Sequence, residues 1–125
     1  MIFSPIFNSS LPGSMHNLTR GNIIHLNPKY IASIISIAKR DKAIKKVVLF
    51  GSWAMGNAKP GSDIDIALFG KNINKHTVAS FQMALEEETT IPHFFDILHF
   101  ESLSNTDLIK HIVEYGVQIY SSPSN

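Results

Sequence analysis

The sequence predicts an α/β (α+β) domain, one sheet layered with helices. Stretches of helical period alternate with short β-branched or strand-period runs, and Gly, Pro, Ser and Asn collect between them. The chain has 125 residues, a one-domain length, and carries no internal repeat or low-complexity tract.

Residues 1–22, beginning MIFSPIFNSSLPGSM, hold Ser, Asn, Gly and Pro without a sustained period and are expected to form a flexible arm, with Met15 an alternative start. The folded domain is assigned to residues 23–121, and 122–125 to a polar tail. In NPKYIASIISIAKR, Asn27 caps, Pro28 suits the first helical position, and Ile31, Ile34, Ile35 and Ala38 recur at helical spacing. Tyr30 and Ile37 widen that stripe, so a helix is predicted from about Pro28 to Arg40. Its end, KRDKAIKK, holds five cations and one aspartate. Cations there complement the helix dipole and solvate the surface; a phosphate-facing role is the rival reading.

KVVLF (Lys46 to Phe50) reads as a buried strand stopped by Gly51. DIDIALF alternates Asp63, Asp65, Ala67 and Phe69 with Ile64, Ile66 and Leu68, the period of a strand. GSWAMGNAKPGS between them leaves room for a helical turn and a loop. From Asn74 to Glu88 a helix is predicted with Val78, Phe81, Met83 and Leu85 as its imperfect stripe. Glu86, Glu87 and Glu88 point in different directions on a helix, which favours a solvated face over a metal site. HFFDILHF reads as a third strand. SNTDLIKHIVEYG reads as a capped helix with Leu108, Ile109, Ile112 and Val113 inward and Gly116 at its end, and VQIY as a last short strand.

Composition narrows the function. Hydrophobic residues make up 44% and the net charge is +1, so the average charge gives no long-range attraction to nucleic acid and speaks against direct nucleic-acid binding. There is no cysteine, which excludes disulfides, thiolate zinc sites and cysteine nucleophiles. No apolar run approaches the ~20 residues of a membrane span, and a cytoplasmic protein is expected.

The chemistry concentrates in FGSWAMGNAKPGSDIDIALF. Asp63 and Asp65 fall on one face of a strand, a few Å apart, where they repel unless a cation lies between them or one is protonated. Mg²⁺ suits such a pair, because it takes one or two carboxylates and completes its shell with phosphate oxygens and water. Gly51 lets backbone approach a phosphate closely, and Ser52 adds a hydroxyl and N–H groups at the head of a helical turn. Singly, Gly-Ser is a common turn and D-x-D a common cap. Together they form a far rarer pattern.

That pattern, from Gly51 to Asp65, resembles the signature of the DNA polymerase β-like nucleotidyltransferase superfamily, and in particular its smallest branch, the minimal nucleotidyltransferase domains. The resemblance spans about Pro28 to Tyr120 and implies a small mixed sheet packed with helices. It implies that Gly51 and Ser52, with Ser62 and Lys59, bind the nucleotide, and that Asp63 and Asp65 hold Mg²⁺. A third carboxylate is expected from a later strand, and FFDILHF supplies Asp96 to complete the metal site or deprotonate the attacking hydroxyl. The chain departs from many members at Trp53 and Met55, which stand where arginines flank the triphosphate. Lys59 is a candidate substitute, or else an exposed loop lysine. Trp53 can stack on a base or pack on the sheet, and packing is the reading adopted. His93 and His99 lie about 20 Å apart along an extended strand, too far to share one ion.

The resemblance implies Mg²⁺-dependent transfer of NMP, AMP from ATP or another NTP, to a hydroxyl. The specific expectation is an antitoxin that modifies a tyrosine of a HEPN-type toxin encoded nearby. Homo-oligomerisation is left open. The alternatives are a binding module of the same fold with weak or lost catalysis, and a small-molecule nucleotidyltransferase.

Overall fold

The computed structural model describes residues 24–123. The predicted arm and the alternative start at Met15 lie outside the described residues, as do the last two residues of the tail. Helix α1 (Pro28–Ala38) starts as expected, with the Asn27 side chain accepting from the Lys29 N–H at 2.9 Å and Pro28 in the first turn. It stops short of Arg40 because the Arg40 N–H drops back to the Ile37 carbonyl, a three-residue step that ends the α-helical ladder. Strand β1 (Lys46–Phe50), helix α2 (Gly51–Met55) and strand β2 (Ile64–Phe69) follow, then α3 (Lys75–Glu88), β3 (Phe95–His99), a 3-10 turn (Phe100–Ser102), α4 (Thr106–Tyr115) and β4 (Val117–Ser121).

The four strands form one mixed sheet in the order β3-β2-β1-β4. β1 runs antiparallel to both β2 and β4, while β2 and β3 are parallel. One face packs on α1 and α3: Val47, Leu49, Ile64, Ile66, Leu68, Ile97 and Ile119 meet Ile34, Ile37, Phe81 and Leu85. The other face is covered by α4 and the 3-10 turn, where Val48, Phe50, Ala67 and Phe69 meet Ile112, Leu98, Phe100 and Leu108. Coverage of both faces explains why every residue of β2 except Asp65 is buried despite its alternating sequence.

Helix α3 turns differently from its predicted stripe. Thr77, Phe81 and Leu85, four residues apart, face inward, and Met83 is 55% exposed. Thr77 is buried because it closes a capping box, its N–H donating to the Asn74 side chain at 2.9 Å while its hydroxyl accepts from the Asn74 N–H. The three glutamates stay on the exposed side, and Glu88 pairs with Arg40 at 2.8 Å. On α4, Ile112 is fully buried, with half-buried Leu108 and Val113 packed against the same cluster; Ile109 is half-buried too. Gly116 ends α4 with an ordinary φ of −65°, so its need for glycine is steric: a Cβ would strike the Ile112 carbonyl and Val48 Cγ1. The KRDKAIKK segment precedes β1 and so lies at the opposite end of that strand from Gly51, which removes its phosphate-facing reading for this turn. Among the described residues no helix is long and apolar enough to cross a membrane.

Candidate active site

Three neighbouring strands deliver the predicted residues to one end of the sheet. Phe50, the last residue of β1, pairs with Asp65, and Asp65 pairs with Asp96 across the parallel β2–β3 ladder. Gly51 follows Phe50 directly, and Asp63 lies one pleat before Asp65 on the same face. This is the face that α4 covers farther along, at Ala67, Phe69 and Leu98. At the open end Asp63 and Asp96 remain exposed and Asp65 is half-buried. All the carboxylates that the D-x-D spacing and FFDILHF singled out are therefore neighbours.

Gly51 adopts φ +72°, and a Cβ there would run into Asp65 Oδ2. Glycine thus satisfies two demands, a left-handed turn and close approach to a carboxylate. Burial, then the charges of Asp96 and Asp63, push the Asp65 carboxyl up to about 6. A set of hard oxygen donors whose charges repel one another has the chemistry of an Mg²⁺ site. Among the described residues, however, no three carboxylate or imidazole side chains are already gathered as a ligand cluster. Asp63, Asp65 and Asp96 are the residues that would hold such an ion, with its remaining oxygens coming from elsewhere.

The loop residues divide by what they touch. Ser52 is half-buried at the head of α2, and its carbonyl accepts from the Gly56 and Asn57 N–H groups. Ser62 shapes the loop: its hydroxyl accepts from the Lys59 N–H at 2.9 Å and its N–H donates to the Lys59 carbonyl at 2.9 Å. The Ser62 carbonyl accepts from the Trp53 indole N–H at 3.1 Å and lies 3.2 Å from His93 Nδ1. Trp53 also meets His93 edge-on at 5.4 Å, in accord with the packing reading. Lys59 and Met55 are exposed. His99 sits 2.8 Å from the Gly70 carbonyl and 3.2 Å from Glu101, far from His93 in contacts as well as in sequence.

One residue at this turn has no counterpart in the sequence reading. His111 reaches across from α4, and its Nε2 accepts a hydrogen bond from the Gly51 N–H at 3.1 Å. The contact depends on how α4 docks on the sheet, so no local pattern in TDLIKHIVEY announces it.

Comparison with known proteins agrees with this arrangement. The family model described as polymerase beta, nucleotidyltransferase matches residues 32–125. Among curated proteins no match was found. Among solved structures, a chain in a toxin–antitoxin crystal structure with AMP-PNP is 23% identical, with a TM-score of 0.61 over 78% of this chain and 75% of that one. A chain of the toxin–antitoxin MntA-HepT is 20% identical, with a TM-score of 0.59 over 77% and 74%. A chain from the tri-AMPylated Shewanella oneidensis HEPN toxin in complex with MNT antitoxin is 21% identical, with a TM-score of 0.58 over 76% and 72%. At such identities the likeness is one of fold. Taken with the mixed sheet, the Gly51 turn and the adjoining aspartates, the family match over three quarters of the chain settles its kinship: the chain belongs to the polymerase β nucleotidyltransferase family.

Proposed function

We propose that this chain transfers AMP from ATP to a hydroxyl, that the hydroxyl is a tyrosine of a HEPN-type partner, and that the protein acts as that partner's antitoxin. The observation that carries the reading is the pairing of Asp65 with Asp96 beside the left-handed turn at Gly51. The solved structures with similar folds support the choice of partner and of adenine nucleotide, since they include a HEPN toxin that is tri-AMPylated and a complex with AMP-PNP.

Asp63, Asp65 and Asp96 would hold Mg²⁺, which supplies neutralisation of the charge that develops on the phosphoryl oxygens. The chain's own residues do the rest. Gly51 and Ser52 bring backbone and a hydroxyl to the phosphates, and Lys59, exposed on its loop, adds charge at the rim. The acceptor oxygen attacks the α-phosphorus, the bond to pyrophosphate breaks, and the acceptor proton passes to exposed Asp96.

A second reading is a binding module that neutralises a partner without chemistry, favoured by the lack of any Lys or Arg from Gly51 to Ala58. One experiment separates them. The protein is mixed with Mg²⁺, ATP and the product of the neighbouring HEPN gene, and the partner is weighed by mass spectrometry. The first reading expects an added AMP that Asp63→Asn and Asp65→Asn abolish. Binding without any mass gain in the wild type selects the second.

A further inference from the structure

From Gly51 to Ala58 the turn and α2 hold no Lys or Arg, yet three carboxylates stand beside them. A triphosphate arriving here adds several more negative charges in a partly desolvated place, where a nearby positive group is worth most. The imidazole of His111 is bonded to the backbone of this turn at Gly51, whereas His93 meets it only through the Trp53 ring. It is half-buried, set edge-on to Phe50 at 6.1 Å and tilted against Tyr115 at 5.5 Å, so its position is defined while one side stays accessible. With Nε2 accepting from Gly51, the ring is neutral and its proton sits on Nδ1. The imidazole therefore occupies the backbone donor that a phosphate oxygen at this turn would use.

Building on the proposed function, we infer that His111 is a phosphate-binding residue that exchanges roles with Gly51. An incoming phosphate oxygen takes the Gly51 N–H, and His111 takes up a solvent proton, which forms an Nε2–H bond, and as an imidazolium donates a hydrogen bond from it to the same phosphate. Apart from that N–H no covalent bond changes, and the positive charge missing from the turn arrives with the ligand. The groups around the ring agree with this. Across the turn stand Asp65, Asp63 and Asp96. Phe50 on β1 and the residues of α2 contribute no titratable group. On α4 itself, Asp107 lies one turn before His111, Lys110 precedes it in sequence, and Tyr115 lies one turn after, its phenol held protonated by a hydrogen bond with Glu114.

The test is calorimetric titration of the full chain with inorganic tripolyphosphate, metal-free, and with AMP-PNP plus Mg²⁺, from pH 6 to 8.5 in buffers of differing ionisation enthalpy. The wild type takes up as much as one proton more per ligand than His111→Gln, which keeps an acceptor for the Gly51 N–H but cannot become charged. At pH 6.5 the variant binds tripolyphosphate about tenfold more weakly, and the gap closes towards pH 8.5. The ring resonances of His111, assigned through bonds from its own backbone in the labelled wild type, titrate at higher pH with tripolyphosphate than without, a readout that needs no variant to fold. Equal affinity and equal proton uptake in both proteins overturn the inference and leave the nucleotidyltransferase reading intact. A wild type that binds neither probe overturns both.

Discussion

Asp65 stands directly opposite Asp96 in the parallel β2–β3 ladder, and Gly51 closes against the Asp65 carboxylate from the β1 side. The Asp65 carboxyl is consequently pushed up to about 6. The folded chain keeps a proton that the unfolded chain releases near pH ~4. Stability from this group is complete below that value and is lost as pH rises through about 6. Metal-free Asp65→Asn is therefore expected to be more stable than wild type at pH 7.5, by roughly 1–2 kcal/mol once partial exposure is allowed for, and equal to it near pH 4. Thermal melts between pH 4 and 8 decide the matter; parallel curves for the two proteins would refute it.

Gly51 and Gly56 share a left-handed backbone, at φ +72° and +80°, and at Gly51 a Cβ would also run into the Asp65 carboxylate. Alanine at either position costs about 1–2 kcal/mol of strain. Gly51→Ala also displaces Asp65 and is expected to abolish nucleotide transfer, whereas Gly56→Ala keeps it. Melts and partner AMPylation, measured together, separate the two effects.

Trp53 is held by the Ser62 carbonyl and the edge of His93. Trp53→Phe keeps most of the packing and loses one hydrogen bond, for a cost of about 1 kcal/mol. Affinity for AMP-PNP should stay within about twofold, as base stacking would be worth more than that. A tenfold loss of affinity would return Trp53 to the nucleotide.

Gly116 has no unusual φ, yet a Cβ would meet the Ile112 carbonyl and Val48 Cγ1. Gly116→Ala is expected to lower stability by about 1–3 kcal/mol through overpacking, with AMP-PNP affinity unchanged. Denaturant unfolding and calorimetry check the two halves of this statement.

Local signals made much of this legible. KVVLF is a β-branched run stopped by glycine, and strand β1 spans those five residues. Asn27 with Pro28, and the capping run SNTD in which the structure uses Asn105, each announce a helix start because capping is decided within three residues. The site was legible where its residues share a motif, from Gly51 to Asp65, and Asp96 came from an aspartate set in an apolar strand. Legibility failed where packing between distant elements decides. Met83 faces out because α3 rotates to seat Phe81 and Leu85 on the sheet, and Thr77 fills an inward place that a polar residue would not claim by hydropathy. His111 lies beyond local reading for the same reason, since its partner Gly51 is sixty positions away.

The way β2 and β3 align also decides which changes in chain length the site tolerates. Register, not sequence distance, addresses Asp96 to Asp65, so the segment carrying α3 can drift in length while both strand ends hold their places. Within β3 the reverse applies. Slipping that strand by one residue sends Asp96 to the α3 side and brings an isoleucine or a phenylalanine to the carboxylates; slipping it by two restores the face but moves the charge about 7 Å along the sheet. The geometry of the candidate site is thus encoded as a count of pleats, and the five residues of β3 are where an insertion or deletion of a single residue is least forgivable.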